Sequence, residues 1–279
     1  SHGWRVLMKG AIVARGELPA GQLLALDTGE VFGRLDGEPG RDPLTAAAGV
    51  WLAAERREHA ELRGYLVLDP AAYLARAVEA AFRANAAELF GRAETRALLD
   101  AVARARPALA EAVAQRVSEA ELQAVVQGLL AEGVAIRDTE SLFEALAACP
   151  AATTEGRVEA ARAALGRHLV AGCCGDAAVV EAVTLAPTLE TRLADELREA
   201  GALRADTRAM LADAAAKLFA EQVAAGLPPL LLVAPGVRVA LAQTLRRAWP
   251  GLAVLSYAEI PADREVRSAS QLDLMEWLA

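Results

Sequence analysis

At 279 residues the chain is long enough for two or three domains with a substantial core. Its formal net charge of -8 argues against a nucleic-acid binder, which needs a basic stripe to meet phosphates. No uncharged apolar run reaches about 18 residues and Ser1 to Gly10 has no signal-peptide core, so the segment as given reads as soluble; Cys149 and the adjacent Cys173 and Cys174 make no disulfide framework and suit a reducing cytoplasm.

Ser1-His2-Gly3 reads as a tag remnant and is set aside. Arg5 to Met8, Ala11 to Val13 and Leu23 to Leu26 are predicted short strands, with Gly16, Pro19 and Gly21 in the turns. Thr28 to Asp42 is too rich in glycine for a helix interior and reads as strand or loop. Ala53 to Leu62 is a short charged helix stopped by Gly64. Tyr65 to Leu68 is a strand, and Asp69-Pro70 supplies the N-cap and first residue of the next helix. The periodicity is then helical to about Leu169, over Tyr73 to Leu89, Ala93 to Ala103, Ala108 to Val117, Ser118 to Ala131, Thr139 to Ala148 and Thr154 to Leu169. Ser118 with Glu121 forms a capping box, Gly133 is a C-cap, and Asp138 or Thr139 opens the following helix. After a small-residue turn at Gly172 to Asp176, Ala177 to Leu185 reads as a strand, and Pro187 to Glu199 and Ala205 to Ala225 as two helices.

The strongest single pattern lies near the end. Leu230 to Val233 is a continuous apolar run, as in a strand buried on both faces; Ala234-Pro235-Gly236 punctuates it. Val237, Leu241, Leu245 and Trp249 then recur every four residues, Pro250-Gly251 ends that helix, and Leu252 to Tyr257 is a second strand. The predicted unit is a βαβ crossover with parallel strands. The fold class expected is α/β with an all-helical middle, made of several subdomains.

No catalytic constellation emerges. His59 and His168 have no partner at ligand spacing, so no metal site is predicted. Phosphate-loop, dinucleotide and hydrolase-elbow motifs are absent from the sequence, and no cofactor is expected. Two weak alternatives stay open: a reactive Cys173-Cys174 pair, and an α/β enzyme with an anion site at the Pro235 helix N-terminus assisted by Arg238.

The closing βαβ with VLSYAEIP resembles the C-terminal end of the flagellar and type III secretion export gate family (FlhA/SctV). So, in order, do Trp4 to Leu26 with Leu7-Met8-Lys9-Gly10, Arg41-Asp42-Pro43, Val50-Trp51, Gly64-Tyr65, Asp69-Pro70, Ala87 to Arg92, Ala97 to Asp100, Val125 to Asp138 and Ala164 to Arg167. The resemblance implies the cytosolic C-terminal part of an integral-membrane export gate at the cytoplasmic face of the bacterial inner membrane. The membrane contact would come only through an N-terminal transmembrane half that this segment lacks. Implied partners are export chaperone-substrate complexes, other export-apparatus proteins and further copies of itself in a nine-membered ring, with no catalysis and no nucleic acid. Residues 4–20 with 70–89 would be part of a first α/β subdomain, 21–69 an inserted α/β subdomain, 90–170 the ring-building helices and 171–268 the C-terminal α/β subdomain. The family's first subdomain begins well before Trp4.

The family's flagellar chaperone pocket uses an Asp, a Phe three residues on, and a Thr in the helix after Asp-Pro. Ungapped counting puts these positions at Asp42, Thr45 and Arg76. Only the Asp is kept, which argues against a standard flagellar partner set, while Leu-Met-Lys-Gly and Glu259-Ile260-Pro261 favour the flagellar branch over the injectisome one. The tail 269–279 runs past the usual terminus, and Leu272, Met275 and Leu278 are spaced for one face of a docking helix.

Overall fold

Lys9 and Gly10 both adopt left-handed backbone, φ 48° and 84°, and this pair turns strand β1 (His2–Met8) into strand β2 (Ala11–Leu18). A two-residue turn of that hand matches the twist of an antiparallel hairpin. A computed structural model describes residues 2–29, 31–224, 226–249 and 251–274. His2 and Gly3, set aside on sequence grounds, pair with Leu18 and Glu17 and so belong to the hairpin. The chain divides into two compact units, Ser1–Ala93 with Val126–Ala135 and Glu94–Val125 with Ile136–Ala279.

The first unit adds a four-stranded antiparallel sheet of β3 (Gln22–Leu26), β4 (Glu38–Arg41), β5 (Ala48–Ala53) and β6 (Leu66–Leu68), in the order β4-β5-β3-β6. Alternation along β3 divides its side chains between two clusters. Leu23 and Ala25 pack with Leu35, Leu52, Ala60 and Tyr65, beside the short helix α1 (Arg57–Glu61). Leu24 and Leu26 pack with Leu68, Trp51 and Tyr73, the last on helix α2 (Pro70–Ala84). Asp69 caps α2 by accepting from the Ala72 amide at 2.8 Å. The single helix expected to Leu89 stops at Asn85, whose side-chain amide donates to the Ala81 carbonyl at 2.7 Å; a short α3 (Ala86–Leu89) follows.

Helices α4 (Arg92–Ala105), α5 (Pro107–Ala114) and α6 (Glu119–Ala131) come next. The capping box before α6 is present: Glu121 accepts from the Ser118 amide at 2.8 Å and donates its own amide to the Ser118 hydroxyl at 3.3 Å. At its far end Gly133, φ 74°, makes the paired closing bonds Gly133 to Leu130 and Val134 to Leu129. Asp138 caps α7 (Thr139–Ala148).

The helix expected over Thr154 to Leu169 is two, α8 (Thr154–Ala164) and α9 (Gly166–Cys174), with Leu165 between them. The break lets Gly166 lie against the one-turn helix Tyr257–Glu259: a Cβ there would come within 2.1 Å of the Glu259 carbonyl oxygen. Backbone on both sides of that contact leaves little room to give. Gly166→Ala should therefore cost about 1–3 kcal/mol, read as a lowered urea midpoint with an unchanged slope.

Within the second unit β7 (Val179–Leu185), β8 (Leu230–Val233), β9 (Ala253–Ser256) and β10 (Glu265–Leu272) form one all-parallel sheet in the order β10-β7-β8-β9. Leu231 and Val233 face helices α10 (Pro187–Ala200), α11 (Ala205–Ala224) and α12 (Pro235–Ala248), while Leu230 and Leu232 face Val170 of α9. With both faces covered, all four residues of β8 are fully buried, the reason for their unbroken apolar run. Strand β10 was not anticipated, and it runs through Leu272, so the tail placed at 269–279 starts inside the sheet.

Candidate functional site

Asp42 opens the six-residue loop between β4 and β5, and its carboxylate is the loop's internal anchor. Oδ1 accepts from the Leu44 amide at 3.2 Å; Oδ2 accepts from the Thr45 amide at 3.2 Å and the Thr45 hydroxyl at 2.5 Å. The loop's own backbone closes through Ala46 N to Asp42 O and Asp42 N to Ala47 O, with Ala46 at φ 59°. Arg41 adds a bond from its guanidinium to the Ala46 carbonyl at 3.3 Å.

Arg76 reaches this loop from α2. Its Nε donates to Asp42 Oδ1 at 2.7 Å and its Nη2 to Oδ2, a side-on fork. Asp42 is wholly buried there, whereas the Arg76 side chain keeps 28% of its exposure. The guanidinium beside Asp42 holds that carboxyl well below the ordinary carboxylate range, with the Thr45 hydroxyl and Leu44 amide acting in the same direction against burial. Arg76 is in turn held more firmly protonated by Asp42. The three positions counted out from the sequence, Asp42, Thr45 and Arg76, are thus brought together and bonded to one another.

Sequence reasoning passed over what lies behind them. Tyr73, one helical turn before Arg76, has its ring 5.3 Å from that of Trp51 and 6.3 Å from that of Trp4. Burial raises the Tyr73 hydroxyl above its usual value, and the Asp42 charge adds to it. Gly16 makes room for the Trp4 indole, which a Cβ would approach within 2.7 Å, and Gly40 does the same beside Trp51. The i, i+3 relation of Tyr73 to Arg76 was the available signal.

The other candidates fare differently. The anion site is overturned by geometry. Arg238 is fully buried and forks onto Glu159 of α8, with Nε to Oε2 at 2.7 Å. The amide of Ala234 at the start of α12 already donates to a carboxylate of the chain itself, Glu190 Oε1, at 2.6 Å. The cysteines are free thiols, and burial pushes Cys173 up to about 11 and raises Cys174, which is the reverse of an activated nucleophile. No cluster of metal-ligating residues occurs among the described residues. Leu272 is not on a helix: it is a buried residue of β10 opposite Leu185, because backbone pairing with β7 holds this segment extended. Met275 and Leu278 lie outside the described residues. No helix among the described residues is long and apolar enough to cross a membrane.

A parallel sheet with helices on both faces, a separate antiparallel sheet, and a helical middle define the architecture seen in several solved secretion proteins. The nonameric SctV-C of enteropathogenic Escherichia coli superposes with a TM-score of 0.77 at 17% identity over 96% of this chain and 83% of that one. The CdsV chain solved as a Chlamydia pneumoniae CdsV and CdsO complex gives 0.82 at 20% identity, over 97% and 80%. The chain belongs to the FHIPEP family, whose model matches residues 1–265. It is 34% identical over 272 residues to the flagellar biosynthesis protein FlhA of Yersinia enterocolitica, and 33% to that of Escherichia coli K12. In each case the match takes in 96% of this chain and 39% of the relative, so the chain spans well under half the length of these relatives.

Proposed function

We propose that the chain is the cytosolic part of a type III protein export gate of the flagellar branch, a non-catalytic platform that docks chaperone-substrate complexes and assembles with copies of itself into a ring beneath the secretion channel at the inner membrane. The co-linear match to FlhA over 96% of the chain carries this reading. The flagellar branch is favoured over the injectisome one because sequence identity to the FlhA proteins reaches 34%, whereas the solved SctV and CdsV chains share 17% and 20%. In this proposal 4–20 with 70–89, 21–69, 90–170 and 171–268 act as subdomains, and Asp42, Thr45 and Arg76 form the docking site.

The test uses the purified chain tethered at high density on lipid vesicles, imaged for rings and titrated with each cargo-loaded export chaperone of its source organism. Rings of nine and saturable binding of at least one chaperone complex are expected. Absence of both overturns the reading.

A further inference from the structure

Asp42, although the residue kept from the family pattern, has nothing left to offer a partner. Its two oxygens already take five donors: two from Arg76, two loop amides and the Thr45 hydroxyl. Thr45 in turn spends its hydroxyl hydrogen on Asp42. The outward-facing part of this clasp is the remaining edge of Arg76, whose Nη1 has no bond among the described residues and whose side chain is 28% exposed. A guanidinium gripped along one edge by a buried carboxylate is already positioned, so pairing at its other edge costs little side-chain entropy. Two further charges flank the clasp: Glu79 of α2, which acts on the Arg76 charge and is itself paired with Arg83 at 2.5 Å, and Arg41 at the end of β4, bonded to the Ala46 carbonyl. Tyr73 and Trp51 are partly buried against Leu24, Leu26 and Leu68.

We propose that this site selects its protein partner through a carboxylate side chain, received by the free Nη1 edge of Arg76, and not through a buried apolar anchor. The inference rests on the docking reading above and adds to it the chemistry of the group recognised.

The deciding experiment titrates wild type and Arg76→Lys with the cargo-loaded chaperone complex that binds wild type, by calorimetry at low and at physiological salt. Arg76→Lys keeps a cation for Asp42 but lacks the second edge, and its thermal melt checks that the fold persists. Expected results are roughly tenfold weaker binding for Arg76→Lys and weaker wild-type binding as salt rises. One Asp→Asn or Glu→Gln change on the chaperone complex should weaken wild type by a similar factor and leave Arg76→Lys unaffected. If Arg76→Lys binds as wild type does, or no acidic residue of the complex couples to Arg76, the carboxylate inference is overturned while the docking reading survives. If no chaperone complex binds wild type at all, both fall.

Discussion

Glu259→Ala is expected to lower the unfolding free energy by about 3–5 kcal/mol, the largest loss from any single polar substitution described for this chain. Glu259 and Arg162 are 1% and 4% exposed, and their atoms Oε1 and Nε lie 2.6 Å apart. The other carboxylate oxygen, Oε2, accepts from the Ser256 hydroxyl at 3.0 Å and from the Ser256 amide, and so also caps the turn after β9. Alanine removes both functions and takes the Glu259 charge away from a guanidinium that is only 4% exposed. Urea unfolding followed by tryptophan fluorescence reads the loss, and a change under about 1 kcal/mol would show that Arg162 is neutralised elsewhere. Replacing the pair together, Arg162→Met with Glu259→Leu, should recover much of the loss, because the charge and its desolvation leave as one. The pair's role is to fix where the turn after β9 meets α8 and α9.

The second largest effect is expected at Asp42. Asp42→Ala frees the Leu44 and Thr45 amides and releases Arg76, which is exposed enough to regain water, so the loss should be about 2–3 kcal/mol and not the full cost of a stranded charge. Faster amide exchange at Leu44 and Thr45, with little change in β8, would show that the damage is confined to the loop. The pH dependence follows from sign. The carboxyl is held below its ordinary value of 3.8 in the folded chain, so its stabilising contribution is complete above that value and is lost as pH falls below it toward Asp42's own lower titration. The gap between wild type and Asp42→Ala should therefore be flat from roughly pH 5 to 8 and close in more acid solution. A gap that instead widens on acidification would contradict the ion-pair account.

Much of this architecture could be read from local pattern, and the omissions share a cause. Strand β8 was legible because a strand covered on both faces needs apolar residues in succession, and Pro235-Gly236 just after it bounds the run at strand length. Helix α2 and the helix after Asp138 announced themselves through caps made by the neighbouring residue. The breaks at Asn85 and Leu165 were hidden, since apolar spacing continues through both; the first is marked by Asn85's own bond to Ala81, and the second serves the close contact of Gly166 with Glu259. Strand β10 carries EVRSASQL, mostly exposed and polar, and is held by main-chain bonds to β7 that no side-chain pattern reports. Arg238 was misjudged for a similar reason: its helical position suggested a free cation, but the carboxylate that buries it lies 79 residues away. For Asp42, Thr45 and Arg76, counting along the family resemblance supplied the positions. It gave no hint that the three would bond to each other and leave only one guanidinium edge outward.

The pairing of β10 with β7 also bears on how the protein is made. Thr184 and Ser268 share a hydrogen bond across 84 residues, so β7 leaves the ribosome long before the strand that covers its outer edge. With synthesis at about 5–20 residues per second, the gap lasts several seconds, during which β7, with Val180, Ala182 and Val183, presents an open and largely apolar edge. The second unit is thus most prone to sticking to its neighbours while still nascent.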